Sequence, residues 1–257
     1  MKTEGVAGEQ LMDNTLIRIS YDGTNYGGFQ IQLNAPTIQE KLEQALTVIY
    51  KQPVRITGAG RTDSGVHARG QAANFNAPFS IATEKLPHAI NALLPADIVV
   101  TEAALVHDNF HARYDASGKL YSYTIDQAAF PQVMKRLYSW HMPDPLNLER
   151  MREAALLFEG THDFKAYQAA KGQVVDTVRT ISRLGIKHFP DLDLLLFEVE
   201  GSGFLYHMVR LMIGTLVRVG KENLKLQEIV ATLHGANPAA AGPTAPAHGL
   251  CLERVDY

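Results

Sequence analysis

Gly58-Ala59-Gly60-Arg61-Thr62-Asp63-Ser64-Gly65-Val66-His67-Ala68-Arg69-Gly70-Gln71 sets a single carboxylate between two arginines in a stretch punctuated by glycine. Glycine lets the backbone take positive φ or come close to a ligand. Pro53 to Thr57 before it reads as a short strand, and Gln71 to Asn76 alternates apolar with polar residues like another. The segment is therefore expected to be a loop joining two sheet elements. Two roles fit it: a turn in which Asp63 caps backbone amides while the arginines face solvent, or a loop that presents the carboxylate for chemistry from a rigid scaffold.

Upstream of the loop, Thr15 to Ser20 alternates in strand fashion, and Pro36-Thr37-Ile38-Gln39-Glu40 carries the Thr-x-x-Glu spacing of a capping box. A helix is expected from there, with Ile38, Leu42, Ala45, Leu46 and Ile49 on one face. Downstream come a helical stretch interrupted by Pro87 and running to Leu94, then a strand over Ile98 to Ala103. From His111 the pattern starts again, with a strand over Leu120 to Ile125 and a helix over Leu148 to Phe158 that Gly160 terminates. Strands over Val178 to His188 and Leu194 to Glu200 follow, then a strongly apolar helix from Phe204 to Val219 stopped by Gly220. A short helix over Gln227 to His234 and a strand over Leu250 to Val255 close the chain. Strands and helices mixed without strict βαβ alternation predict an α+β fold with a largely antiparallel sheet. No internal repeat is visible at the level of sequence.

With 257 residues the chain is long enough for a substantial core, as one large or two modest domains. No run approaches the roughly 18 apolar residues of a membrane span. Met1 to Asn14 is polar, without the apolar centre of a secretory signal, and is expected to be a loose tail. One cysteine, Cys251, excludes an internal disulfide and a multi-cysteine zinc site and suits a reducing cytoplasm. A net charge of −3 argues only weakly against a nucleic-acid partner. Arg55, Arg61, Arg69, Arg113, Lys119, Arg179 and Arg210 are expected to converge on one cleft while the acids sit elsewhere, the alternative being charges scattered in solvent.

Gly-Arg-Thr-Asp-x-Gly-Val-His-Ala at Gly60 to Ala68 resembles the signature of the tRNA pseudouridine synthase A family. The likeness continues through Tyr21-Asp22-Gly23-Thr24-Asn25-Tyr26-x-Gly28-Phe29-Gln30, Asn91-Ala92-Leu93-Leu94-Pro95, Phe110-His111-Ala112-Arg113 and Tyr121-x-Tyr123. It goes on through Gly160-Thr161-His162-Asp163-Phe164, Arg179-Thr180-Ile181, Gly203-Phe204-Leu205-Tyr206-x-Met208-Val209-Arg210 and Gly249-Leu250. Ser64 departs from the alanine common there, and Leu120 and Ser122 flank Tyr121 where members often carry a basic residue.

The resemblance implies two similar α+β halves of ferredoxin-like, RNA-binding-like topology, residues 15–110 and 111–257, sharing one sheet with a central catalytic cleft, and a homodimer. It implies isomerisation of uridine in the anticodon stem-loop of tRNA, with Asp63 as nucleophile, Arg210 in an ion pair with it, and Tyr121 stacked on the base and engaged in proton transfer. Leu250 becomes an apolar wall, and Arg61, His67 and Arg69 join the substrate-binding set. Arg61 is expected to hold the displaced backbone or fill the vacated space, since a paired uridine reaches the carboxylate only by being flipped out. Uridine isomerisation is redox-neutral and adds no external group, so no cofactor or metal is expected. The chain also lacks a P-loop and a dinucleotide fingerprint.

The residues read by themselves leave these roles open. Arg210, amid Met208, Val209, Leu211 and Met212, needs an acid or a water-facing edge. The rings of Tyr121-Ser122-Tyr123 are expected on opposite sides of a strand, one of them in the core. Two rival functions are a metal-dependent hydrolase using His107 and His111 with His67 or Asp63, and a non-catalytic RNA-binding or folding module.

Overall fold

The computed structural model describes residues 13–170, 175–235 and 241–257. Its first elements are β1 (Asp13–Tyr21), α1 (Ile38–Tyr50), β2 (Thr57–Gly58), β3 (His67–Ala77), α2 (Leu86–Asn91) and β4 (Ile98–Leu105). In β1 alternate residues Ile17, Ile19 and Tyr21 are buried, as period-two patterning requires. α1 starts where the capping signal lies, with the Thr37 hydroxyl accepting the Glu40 amide at 3.3 Å. Pro87 sits in the first turn of α2 instead of interrupting it, because a missing N–H costs nothing there. Of the strand expected over Pro53 to Thr57 only Thr57 pairs, and with Gly58 it lies against Asn74 and Ala73 of β3.

The second set is β5 (Gly118–Asp126), β6 (Trp140–His141), α3 (Leu148–Leu156), β7 (Gly160–Asp163), β8 (Val178–Phe189), β9 (Leu194–Gly201), α4 (Met208–Gly220), α5 (Leu226–Leu233) and β10 (Leu250–Asp256). Gly160, at φ +99°, opens β7 after a short turn from α3. The tail expected over Met1 to Asn14 is shorter at its end, since Asp13 and Asn14 begin β1; residues 1–12 lie outside the described residues.

All ten strands among the described residues belong to one sheet, in the order β4-β1-β3-β10-β5-β9-β8-β7, with β2 on β3 and β6 on β5. Only β10 with β3 and β6 with β5 pair in parallel; the other pairings are antiparallel. The connectivity is used twice. β1-α1-β2-β3-α2-β4 gives the spatial order β4-β1-β3-β2, and β5-α3-β8-β9-α4-β10 gives β10-β5-β9-β8, the same arrangement. The repeat that the residues do not show is thus present in the topology.

The two sets join at β3, whose free edge carries β2 opposite Asn74 and β10 opposite His67 and Ala68. The last strand of the chain therefore lies between the Asp63 loop's own strand and the tyrosine strand β5. The connection between the sets is pinned by two buried asparagines. Asn14 donates to the His107 and Phe110 carbonyls at 3.1 and 2.9 Å, and the Asn74 side-chain oxygen accepts the Ala112 amide at 2.9 Å. Buried amides with these partners hold the halves in one register, and either left unpaired would cost about 1–3 kcal/mol.

Candidate active site

The loop between β2 and β3 is held on several sides by groups distant in sequence. The Ala59 amide donates to Ala72 O at 2.8 Å, and the Gln71 side chain donates to Gly60 O at 3.0 Å. The Thr62 hydroxyl meets the Tyr21 hydroxyl at 2.8 Å, and the Phe29 amide donates to Thr62 O at 3.2 Å. Ser64 uses the hydroxyl that alanine would lack, donating to Tyr26 O at 3.1 Å. The Tyr21 to Gln30 motif is therefore a second loop folded around the first. A Cβ on Gly28, at φ +100°, would lie 2.4 Å from Thr62 O and 3.1 Å from the Asp63 carbonyl carbon. Gly28→Ala is expected to cost roughly 2 kcal/mol and to loosen the Asp63 loop, read as a lower denaturant midpoint with reduced activity. An unchanged midpoint would contradict this packing.

Asp63 is brought to the start of α4, 147 residues away: Arg210 Nη1 donates to Asp63 Oδ2 at 3.1 Å. The Arg210 and Asp63 side chains are 13% and 17% exposed, so the pair is mostly withdrawn from water. Arg210 Nε donates to Ala245 O at 2.7 Å, and the Ala245 amide donates back to Arg210 O at 3.1 Å. A strap leading to β10 thereby runs along α4. It approaches at Gly214, where a Cβ would meet Pro243 O at 1.8 Å, and the Gly242 amide donates to the Thr215 hydroxyl at 2.8 Å. The guanidinium fork thus spends one arm on the strap and another on the carboxylate.

His207 also reaches the carboxylate, its Nε2 lying 3.4 Å from the same Oδ2. It stands at φ +61° as the residue before α4, so the helix begins at Met208 and Phe204 remains outside it. The expected helical start at Phe204 fails because a left-handed residue breaks the turn. His207 occupies the position passed over as variable in Tyr206-x-Met208, and neither periodicity nor composition marks it. Burial lowers its imidazole pKa, Asp63 opposes that shift, and Arg210 reinforces it. A lowered folded value means the neutral ring is favoured in the fold. Its contribution is present above the unfolded value near 6.5 and is lost as pH falls through the lower folded one. His207→Gln is expected to flatten the fall of Tm between pH 7 and 5, and an equally steep fall would show that His207 is not the group responsible.

Tyr121 and Tyr123 share one face of β5, because residues two apart in a strand point the same way; the expectation of opposite faces was wrong on geometry. Tyr123 is fully buried, its hydroxyl donating to Pro246 O at 2.9 Å. Tyr121 is 8% exposed and stands edge-on to Phe204 at 5.2 Å. Burial raises its phenol pKa far above the usual 10, with further increments from Tyr21 and Asp63, so it is a neutral hydrogen-bond donor at physiological pH. Leu250 is buried and pairs opposite Tyr123, at the end of the strap whose Ala247 comes against Gly65 at 3.5 Å from a Cβ placed there.

The remaining expected site residues divide. Arg61 is exposed in the loop beside Asp63. Arg69 is exposed and paired with Glu253 at 2.6 Å, and Glu253 also accepts from Ser122, which points away from the Tyr121 face. Arg69 is thus not brought to Asp63. His67 is buried: Nδ1 accepts the Gly23 amide at 3.0 Å while Nε2 faces the Leu137 and His248 carbonyls at 2.9 and 3.2 Å. Nδ1 also lies 3.1 Å from Asp22 Oδ1, so both nitrogens are occupied within the protein, which makes His67 a bracket between loops. Arg55 pairs with Glu43 of α1 at 2.7 Å and likewise lies outside the expected convergence. His111 Nδ1 accepts the Arg113 and Tyr114 amides, and His107 packs on Phe110 at 5.7 Å. The hydrolase reading needed these histidines together, and among the described residues no group of three or more His, Cys, Asp or Glu is placed to hold a metal ion. Two surface hollows lie elsewhere, one beside α2 and β4 and one beside α1. Neither hollow contains an acid paired across the two halves.

Against this geometry, the family model for tRNA pseudouridine synthase matches residues 17–115 and 154–257. The chain belongs to that family. As a tRNA pseudouridine synthase it is an isomerase; Asp63 falls in the first matched stretch, and Arg210 and Leu250 in the second. It is similar to tRNA pseudouridine synthase A of Thermoanaerobacter sp. (strain X514), 45% identical over 246 residues, which span 96% of this chain and 100% of the relative. The enzyme of that name from Bacillus subtilis (strain 168) is 46% identical over 241 residues, 93% of this chain and 97% of the relative. Among solved structures, a Cbf5-Nop10-Gar1 complex matches at 13% identity and a TM-score of 0.37, over 93% of this chain and 48% of that one.

Proposed function

We propose that the synthase acts on uridines of the tRNA anticodon stem-loop, with Asp63 as the nucleophile on a flipped-out base. The single observation that supports this most is the Asp63–Arg210 contact of 3.1 Å between residues 147 apart, in a largely dry setting. Arg210 and His207 both address Oδ2, which leaves Oδ1 as the oxygen to attack. Attack at C1′ of the ribose or at C6 of the uracil is compatible with that arrangement. Along either route the C1′–N1 bond breaks, a C1′–C5 bond forms, and the proton lost from C5 is matched by one gained at N1. Tyr121, neutral and buried beside Asp63, stacks on the loose uracil and holds a proton near it while Leu250 and Phe204 keep water from competing.

Arg61, exposed at the lip, is suited to a backbone phosphate or to the gap left in the stem. A shape-reading mode through phosphates and 2′-hydroxyls fits an enzyme that accepts neighbouring uridines. The halves 15–110 and 111–257 supply the nucleophile and its clamp respectively, and the enzyme is read as a cytoplasmic homodimer, in keeping with its family. Among the described residues no helix is long and apolar enough to cross a membrane.

The test is to incubate the protein with unmodified tRNA transcripts and map pseudouridine by carbodiimide adducts and primer extension. Stops confined to the anticodon arm are expected. Pseudouridine formed only elsewhere would overturn the proposed target, and light scattering of a monomer would overturn the dimer.

A further inference from the structure

Lys119 lies against the catalytic loop, yet the proposed reaction gives it nothing to do. Its Nζ donates to Ala59 O at 2.8 Å, and a Cβ on Gly60 would come within 2.8 Å of it. It is two residues before Tyr121 on β5 and so shares that face of the sheet. An ammonium carries three donors, of which Ala59 takes one.

The charged groups acting on Lys119 are Arg113, from the connection after β4, and Arg179, at the start of β8. Both are cations. Burial first, then these two guanidiniums, lower the lysine pKa to about 8. Acids on the flanking strands are engaged elsewhere: Glu200 and Asp256 with Arg254 at 3.1 and 2.5 Å, and Glu253 with Arg69 at 2.6 Å. Arg179 donates to the Asp176 and Val178 carbonyls, and Arg113 lies over the Tyr114 ring at 5.8 Å. The two guanidiniums, neither in an ion pair among the described residues, disfavour the charge on Lys119 until an anion joins them. Two guanidiniums and an ammonium with free donors are the groups that hold phosphate oxygens.

We propose that Lys119, Arg113 and Arg179 form a seat for one backbone phosphate of the substrate RNA, beside the nucleotide that enters the Asp63 site. The inference rests on the RNA-isomerase reading. It adds that the phosphate neutralises the cluster and, through the Ala59 carbonyl, steadies the loop that carries Arg61 and Asp63.

Binding of an anticodon stem-loop RNA to the full chain over a salt series tests this. Lys119→Met, Arg113→Gln and Arg179→Gln are each expected to weaken binding about 5- to 10-fold at low salt, and to reduce the slope of log K against log salt by up to about 0.9, the value for one phosphate. Because one phosphate serves all three, the Lys119→Met/Arg179→Gln pair should lower the slope no further than either single change. Unchanged slopes, or slopes that add, overturn the seat. Should Lys119→Met disturb the loop, the two arginine variants still decide it. So does the titration of Lys119 followed by its 13Cε shift, which should move up by about a unit on RNA binding and stays put if the lysine is only structural. The two readings fail separately: pseudouridine formed in the anticodon arm with unaltered slopes removes the seat alone, and altered slopes in a protein that forms no pseudouridine there remove the proposed target alone.

Discussion

Asp63→Ala is expected to abolish tritium release from C5-labelled uridine in tRNA, by on the order of 10⁴-fold or more, while tRNA affinity stays within a few-fold of the parent. The argument is chemical. On the proposed reading Asp63 holds one fragment in covalent form, and no neighbour can replace it, since Tyr121 is a buried neutral phenol and His207 points at Oδ2 of Asp63 itself. Binding, by contrast, is spread over phosphates along the RNA. Normal turnover in the variant would end the assignment of Asp63, and a binding loss as large as the rate loss would recast it as a contact residue.

Arg210 removal is expected to have the second largest effect. In Arg210→Met, Asp63 loses its hydrogen-bonded cation in a mostly buried setting, and Ala245 O loses its partner. Breaking a buried pair by removing one partner costs about 3–5 kcal/mol, here toward the lower end because both groups keep some exposure. Turnover should fall about 10²- to 10³-fold at saturating tRNA, from misorientation of the carboxylate. Arg210→Lys should rescue little. A single ammonium point charge cannot address the strap carbonyl and the carboxylate from two fixed directions as the guanidinium does. Near-normal kcat in the lysine variant would show that charge, without geometry, is what Asp63 needs. Thermal melting run beside the kinetics separates a loosened strap from a misplaced nucleophile.

Most of the elements were legible from periodicity. α1, β4, β5, α3, β8, β9, α5 and β10 lie within a few residues of their expected bounds, because each buries one face and carries its own start or stop signal. The exceptions are local in cause. β6 and β7 are too short to show alternation, Pro87 is read as an interruption when it opens a helix, and the left-handed His207 delays α4 by several residues. For the site, the motifs marked Asp63, Tyr121, Arg210 and Leu250, but the same reading placed His67 and Arg69 among substrate contacts. His67 is spent on the Gly23 amide, the Leu137 and His248 carbonyls and the Asp22 carboxylate, and Arg69 on Glu253, pairings between residues 44 to 184 apart that no window of sequence displays. His207 went unassigned to the site for the same reason, and Lys119 was expected only as one of several cations converging on a cleft, since each gains its meaning from a group on another element.

Patterning along the chain determined an α+β protein with a largely antiparallel sheet, and the glycine-spaced loop determined where its carboxylate would be displayed, because backbone preference and side-chain alternation act over a few residues. Tertiary structure alone decided that β10 slots between β3 and β5, that the strap at Ala245 ties α4 to that strand, and that His207 joins Arg210 on Oδ2 of Asp63. Those contacts depend on how two copies of one connectivity meet edge to edge. That meeting is set by burial and hydrogen-bond satisfaction summed over the whole sheet, a quantity no local stretch of residues contains.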